Sequence, residues 1–381
     1  MNTNSLPIQP PEFSFLFCGG GSGGHLFPAL AVCEELIERF GLGCRFLFTT
    51  TGKQIETSLL VNQNIEIETV HIPSSPLGKL KRHPIRESRV LLSAFRQARK
   101  VIKEFAPTIV IGLGGYGSLP GILAARSLRR PILLMEQNTI PGSANVLLSR
   151  FSSRICTSYP ETAQHFHFSS KRACVETGNP VRKSILTLSE CRSSTASRTL
   201  TVLGGSQGAV AINAAMQSLV EQSPELFKGW TIFHQTGSTE NENIERAYNA
   251  AAISAVVSQF FTNIEEVLNQ STFVVSRAGA TTLAELAVLG KPALLVPYPN
   301  SARDHQEKNA LYYSTNKAAV IVHQSNNAET FATHLRNELS NIIASSELQD
   351  SMSQNMRKLG KPDAAKSVVQ QIADQIQFRQ T

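Results

Sequence analysis

The sequence predicts an α/β protein of two Rossmann-like domains whose parallel sheets face each other across a cleft. Two glycine-rich segments about 185 residues apart each follow an apolar, strand-like run and open a helix. The first is FSFLFCGGGSGGHLFPALAVCEEL, with its loop at Gly19 to Gly24; the second is TLTVLGGSQGAVAINAAM, with its loop at Gly204 to Gly208. Strand, glycine turn and helix in succession aim backbone N–H groups at an anionic ligand. Strand-like and helix-like segments also alternate through both halves, which implies parallel sheets joined by right-handed crossovers.

In the first half the expected strands are Phe13–Cys18, Cys44–Thr50, Ile65–Val70, Thr108–Leu113, Pro131–Met135, Arg154–Thr157 and Ala173–Thr177. Helical periodicity falls between them, most clearly over Ala29–Arg39 and Ser88–Phe105. The second half continues with Leu200–Leu203, Thr231–Gln235, Ala255–Phe260, Phe273–Ser276 and Ala293–Val296. Turn residues Gly178-Asn179-Pro180 after a strand mark the hinge. The expected domains are 1–181 and 182–360, with residues 1–11 disordered, Ser189–Arg198 a surface loop, and a helix over about 361–381 packing back on the first domain.

At 381 residues the chain is long for one core and suits two. An apolar fraction of 41% with 17% charged residues fits a globular protein and not a disordered one. Gly, Pro or charge interrupts every apolar run before the roughly 18 residues of a membrane span. The N-terminal MNTNSLPIQPPEF lacks the basic and apolar regions of a signal peptide. The six cysteines, Cys18, Cys33, Cys44, Cys156, Cys174 and Cys191, show no CxxC pair or His-linked metal spacing, so they read as reduced, mostly buried thiols. Net charge is +7, and the segment 79–103 alone carries nine Lys or Arg against one acid, Glu87. One basic patch on a near-neutral remainder suits an anionic membrane surface or ligand, and argues against a nucleic-acid partner.

The first glycine loop resembles a dinucleotide site only loosely. Extra glycines blur the spacing, and the second strand ends Phe48-Thr49-Thr50-Thr51 without the acid that would bind ribose. No Gly-Lys-Ser/Thr follows either loop, which excludes a P-loop. His25 stands where the following helix begins, either as an inert helix-start residue or as a group facing the cleft. A third cluster, Gly112-Leu113-Gly114-Gly115-Tyr116-Gly117, ends another strand. Three such loops favour one shared crevice at the strand C-termini, with Gly114, Gly115 and Tyr116 lining the cleft. SRAGATTLAEL starts a helix with small residues suited to a diphosphate, and Glu285 is either a solvated helix residue or a ribose contact. Gln306 and Asn309, three apart, share a helix face that could present amides to sugar hydroxyls. On the helix Ser88–Phe105, Leu91, Ala94, Phe95, Ala98, Val101 and Ile102 form one apolar face, with the basic residues largely elsewhere. That helix is either an ordinary core helix with a solvated basic face or, with the loop Ser74–His83, an interfacial patch.

GGGSGGHLFPALA, GLGGYGSLPG, EQNTIPG, TGNPVR, GGSQGA, SRAGATTLAEL and DHQEKNA occur in this order between Gly19 and Ala310. This ordered set resembles the MurG family, the N-acetylglucosaminyltransferases that act on undecaprenyl-pyrophosphoryl-muramoyl-pentapeptide in peptidoglycan synthesis. The resemblance implies a GT-B fold and inverting, metal-independent transfer of GlcNAc from UDP-GlcNAc to the lipid I acceptor, giving lipid II. It implies no cofactor, and a peripheral protein on the cytoplasmic face of the inner membrane. Carried over by residue, His25 would be the base or positioning group for the acceptor hydroxyl. Ser22, Gly23 and Gly24 would lie near the donor sugar or its phosphates, Asn138 and Arg182 would contact the donor, and Ser206 the phosphate side. Phe261 would meet the uracil through its backbone; Ala280, Thr281, Thr282, Leu283, Ala284 and Glu285 would wrap diphosphate and ribose; Gln306 would read GlcNAc hydroxyls. His305 departs from members that carry a second Gln there. The readings that compete are a UDP-GlcNAc 2-epimerase, a glycosyltransferase with another lipid acceptor, a non-catalytic nucleotide-sugar binder and, disfavoured by the missing acid, a nicotinamide oxidoreductase.

Overall fold

A computed structural model describes residues 13–61, 63–74, 84–190, 198–204, 208–237 and 241–377. The N-terminal lead-in, most of the loop Ser74–His83, the loop within Ser189–Arg198, Cys191, Ser206 and the last residues of the tail lie outside the described residues.

The chain divides into two compact units, one of Met1–Gln137, Pro141–Pro180 and Asp363–Thr381, the other of Asn138–Ile140 and Val181–Pro362. The short piece Asn138–Ile140 thus belongs with the second unit although its sequence neighbours belong to the first.

The first unit holds seven parallel strands: β1 (Phe13–Gly19), β2 (Cys44–Thr50), β3 (Ile67–His71), β4 (Ile109–Gly114), β5 (Ile132–Glu136), β6 (Arg154–Thr157) and β7 (Cys174–Glu176), in the order β3-β2-β1-β4-β5-β6-β7. Residues of β1 alternate between two cores. Phe15 and Phe17 pack with Phe46 and Phe48 under the helices Gly23–Phe40 and Ala364–Gln377, the latter supplying Val368, Val369 and Ile372. Leu16 and Cys18 face the other way, toward Ala94, Ala98 and Ile102 of the helix Pro84–Phe105. Both faces are therefore covered, and the strands read as continuous apolar runs.

The second unit holds β8 (Thr199–Leu203), β9 (Thr231–Gln235), β10 (Ser254–Ser258), β11 (Phe273–Ser276), β12 (Ala293–Leu295) and β13 (Ala319–Ile321), all parallel, in the order β10-β9-β8-β11-β12-β13. Both sheets reverse direction at their first strand, β1 or β8, the switch point where open α/β sheets take ligands. β13 was absent from the strands the sequence suggests. Three residues, Ala319-Val320-Ile321, are too short to carry a periodic signal.

A buried polar knot ties the second core together. His234 is fully buried, its Nδ1 2.9 Å from Tyr248 Oη and its Nε2 3.1 Å from Asn213 Oδ1. Asn213 Nδ2 donates to the Thr236 carbonyl, so its Oδ1 accepts and His234 carries its proton on Nε2. Burial pushes the His234 imidazole down to about 3. Cys18 and Cys156 are buried thiols pushed up to about 12 by desolvation, which leaves them unreactive.

Candidate functional site

In the first unit, three loops meet at the C-terminal ends of β1, β2 and β4. Gly19 pairs with Gly114 across the β1–β4 ladder, and a Cβ on Gly19 would stand 2.6 Å from the Gly114 carbonyl oxygen, so only glycine fits. Gly19, Gly20 and Gly21 all have positive φ. The turn delivers Ser22 as the N-cap of the helix Gly23–Phe40, and His25 N–H bonds the Ser22 carbonyl at 3.2 Å. An N-cap serine ordinarily spends its hydroxyl on a first-turn amide. Here Ser22 Oγ makes no such bond and stands 3.2 Å from His25 Nδ1. The opposite edge of the imidazole lies along the third glycine cluster: a Cβ on Gly114 would be 3.4 Å from His25 Nε2, and one on Gly115 4.0 Å from Cε1. Ser22, His25, Gly114 and Gly115 are thus brought together, and Tyr116, 37% exposed, follows directly. Asn145, fully buried, also faces Gly114 and holds the Glu136 carboxylate of the EQN motif at 2.8 Å.

One residue here escaped the sequence reading. Glu56, on the helix Gln54–Val61 after β2, is fully buried. Its Oε1 accepts from Gly21 N–H at 2.6 Å, and its Oε2 accepts from Thr51 N–H at 2.8 Å and Lys53 N–H at 3.1 Å. The Thr51 hydroxyl adds contacts of 3.1 Å to both oxygens. The expectation that the first loop offers its N–H groups to an outside anion therefore needs correction at Gly21, whose N–H is spent on the protein's own carboxylate.

In the second unit, half-buried Arg182 and buried Glu285 form an ion pair. Arg182 Nε and Nη2 reach Glu285 Oε1 at 2.9 and 2.7 Å, and Glu265 lies 4.0 Å from Nη1. Burial raises the Glu285 carboxyl, while the Arg182 charge and hydrogen bonds pull the other way. Both arms of the fork land on Oε1, so Oε2 takes no part in it. Glu285 is on the helix Ala280–Leu289, with Gly279 as N-cap, and this helix presents the first-turn amides of Ala280, Thr281 and Thr282 after β11. Leu283 is core and Ala284 half-buried. Phe261 donates its N–H to Gln235 Oε1 at 3.2 Å.

Asn309, fully buried, is a brace. Its Oδ1 accepts from Thr139 N–H at 2.9 Å and the Thr139 hydroxyl at 3.0 Å, and its Nδ2 reaches Asn138 Oδ1 at 3.1 Å and the Ala278 carbonyl at 3.2 Å. It pins Asn138–Ile140 to the second unit, so it does not point its amide at a sugar. Gln306, one turn earlier, receives Tyr298 N–H on Oε1 at 3.0 Å, and His305 Nδ1 bonds the Ala302 carbonyl at 2.7 Å. The left-handed backbone of Arg303 and Asp304 sets this corner. Ser206 lies outside the described residues; at Gly208 a Cβ would collide with the Thr236 carbonyl.

On the basic helix Pro84–Phe105, Ala94, Ala98, Ile102 and Phe105 are buried, and Leu91, Phe95 and Val101 are half-buried. Arg86, Arg89, Arg96, Lys100 and Lys103 are exposed beside Ile85 and Leu92, which are 72% and 47% exposed. Among the described residues, no helix is long and apolar enough to cross a membrane, and no cluster of three or more His, Cys, Asp or Glu could hold a metal ion.

Residues 15–157 match the glycosyltransferase family 28 N-terminal domain and 199–368 the family 28 C-terminal domain. Fold and matched domains together define a glycosyltransferase of the GT-B type. A relative from Desulfotalea psychrophila, a UDP-N-acetylglucosamine--N-acetylmuramyl-(pentapeptide) pyrophosphoryl-undecaprenol N-acetylglucosamine transferase, is 38% identical over 93% of this chain and 94% of its own. The crystal structure of Acinetobacter baumannii MurG superposes with a TM-score of 0.71 at 30% identity, covering 95% of this chain and 99% of that one. UDP-GlcNAc 2-epimerase from Neisseria meningitidis, solved with UDP-GlcNAc bound, shares the fold alone, with a TM-score of 0.66 at 14% identity over 95% of this chain and 99% of that one. The chain belongs to the MurG family of N-acetylglucosaminyltransferases.

Proposed function

We propose that this protein transfers GlcNAc from UDP-GlcNAc to the MurNAc 4-hydroxyl of lipid I, releasing UDP and giving lipid II for peptidoglycan. The observation that carries the reading is near-full-length identity of 38% to a transferase of that activity, across both domains. The first unit takes the acceptor and the second the donor. His25 removes the acceptor hydroxyl proton as the sugar oxygen attacks the anomeric carbon and the bond to UDP breaks, in one inverting displacement. The contacts to Ser22 and the Gly114–Gly115 turn hold the imidazole for that task. Charge developing on the leaving diphosphate falls on the amides that open the helix Ala280–Leu289 and on the Ser206 loop, with no metal or other cofactor required. Glu285, oriented by Arg182, takes the ribose diol; Asn138 and Gln306 face the sugar and Phe261 the uracil. The basic helix, with the whole segment 79–103, docks the protein on the anionic cytoplasmic leaflet of the cell membrane, where the acceptor's lipid tail stays.

UDP release from UDP-GlcNAc, with and without a lipid I analogue and in EDTA, tests this reading. Acceptor-dependent release with a disaccharide-lipid product is expected. ManNAc or UDP-ManNAc in place of that product would move the assignment to an epimerase.

A further inference from the structure

The Glu56 carboxylate is a buried acid with no place in the transfer chemistry, and its partners are informative. All of them donate: three backbone N–H groups and one hydroxyl. An ionised carboxylate, which only accepts, satisfies such a set, whereas an amide or a protonated acid would turn a donor toward donors. Two of the N–H groups, on Thr51 and Lys53, belong to the turn after β2. Glu56 is third in its own helix and reaches back to the amide just before it, the acid half of a capping box at the end that favours negative charge. The third N–H is that of Gly21, 35 residues earlier and one residue before Ser22. Lys53 closes the link from the other side, its Nζ 3.0 Å from the Gly21 carbonyl. Gly20 gives the carboxylate room, since a Cβ there would stand 2.7 Å from Oε1. A single negative charge therefore stitches the loop after β2 to the glycine turn that sets Ser22 and His25.

We propose that Glu56 is the positioning residue of the transfer site, an internal anion that holds the Gly21 turn so that His25 meets the acceptor hydroxyl. The proposal rests on the reading of His25 as the base. Its effect should fall on kcat through His25 and leave the donor site in the other unit unchanged. Glu56→Gln keeps the shape but places an NH2 among N–H donors, so the turn must shift; displacement by about 1 Å costs on the order of 100-fold in rate.

The test uses the purified full chain with UDP-GlcNAc and a lipid I analogue. For Glu56→Gln we expect kcat to fall about 100-fold, with KM for UDP-GlcNAc within twofold (about 2) of wild type. His25→Ala and the double variant should be equally slow, because a residue acting only through His25 has nothing left to lose. An undiminished kcat in Glu56→Gln, a parallel rise in donor KM, or losses that multiply in the double variant would each overturn the proposal while leaving His25 as base. If His25→Ala matches an active wild type, the base and the proposal fall together. Thr51→Val, which deletes one donor to Glu56, serves if Glu56→Gln does not fold. It should lower kcat about tenfold, again only while His25 is present, and the same outcomes decide.

Discussion

Two of the buried glutamates among the described residues, Glu56 in the first unit and Glu285 in the second, are satisfied in opposite ways. Glu56 is held by N–H and hydroxyl donors, fixed dipoles of neighbouring loops. Glu285 is held by a cation, with both Arg182 bonds on one of its oxygens. A carboxylate wrapped in backbone donors can move only if the loops move, so it shapes them. A carboxylate paired with a guanidinium keeps a second oxygen outside the pair, and its partner can turn toward another anion. The first arrangement suits a rigid catalytic corner and the second a ligand-exchanging one.

The sharpest way to break that contrast is His25→Ala. Loss of a general base should lower kcat by about 10²–10⁴-fold, with UDP-GlcNAc affinity nearly kept, as read by steady-state rates and calorimetry. A lost donor affinity instead would place His25 among the donor contacts and erase the division of labour.

Glu285→Ala removes the nearer of the two carboxylates facing the half-buried Arg182 guanidinium and leaves it Glu265 at 4.0 Å, which should cost about 1–3 kcal/mol of stability. Donor binding should fall with it while acceptor binding is kept. Arg182→Gln is the companion: with the guanidinium gone, burial and the nearby Glu265 charge act on Glu285 unopposed and its carboxyl rises further. Any donor contact that needs the ionised form should then weaken at a higher pH than in wild type. Calorimetric titration of UDP-GlcNAc across pH checks both, and unchanged donor affinity would sink the ribose assignment.

Replacing Arg96, Lys100 and Lys103 together by Gln should weaken binding to anionic phospholipid vesicles by about 100-fold, at about 1 kcal/mol per charge, with soluble-acceptor turnover unaltered. Equal binding by wild type and variant would return that helix to an ordinary core element.

The smallest effect, read per pH unit, distinguishes the units by stability. The unfolded His234 side chain titrates near ~6.5, whereas burial holds the folded one at about 3. The second unit is therefore at full strength above ~6.5 and loses up to about 1.4 kcal/mol per pH unit as acid is added toward 3. Urea unfolding at several pH values should show a flatter acid limb in His234→Gln than in wild type.

The parts legible in the sequence were those whose signal is local. Gly19 to Gly21 and Gly114 to Gly115 announce positive φ, because no other residue takes that backbone cheaply. The alternating faces of β1 and the stripe Ala94, Ala98, Ile102 follow from period alone. His25 was visible because it stands in the glycine turn itself.

Glu56 was not, because QIETSLLV looks like any helix start and its decisive partner, Gly21, is 35 residues away. The Arg182–Glu285 pair spans 103 residues and the Asn309 brace to Thr139 spans 170. Asn309 shares a helical face with Gln306, which suggested a common ligand, yet Asn138, Thr139 and the Ala278 carbonyl claimed its amide.

By itself the sequence determined the two sheets, their glycine turns and the family. Those rest on backbone sterics and on the burial of apolar periods, which each residue carries wherever it goes. Only the tertiary structure decided which buried charges and amides serve the scaffold and which are left to a ligand. A carboxylate's role depends on the donors that folding brings to it, and those donors come from distant turns of the chain.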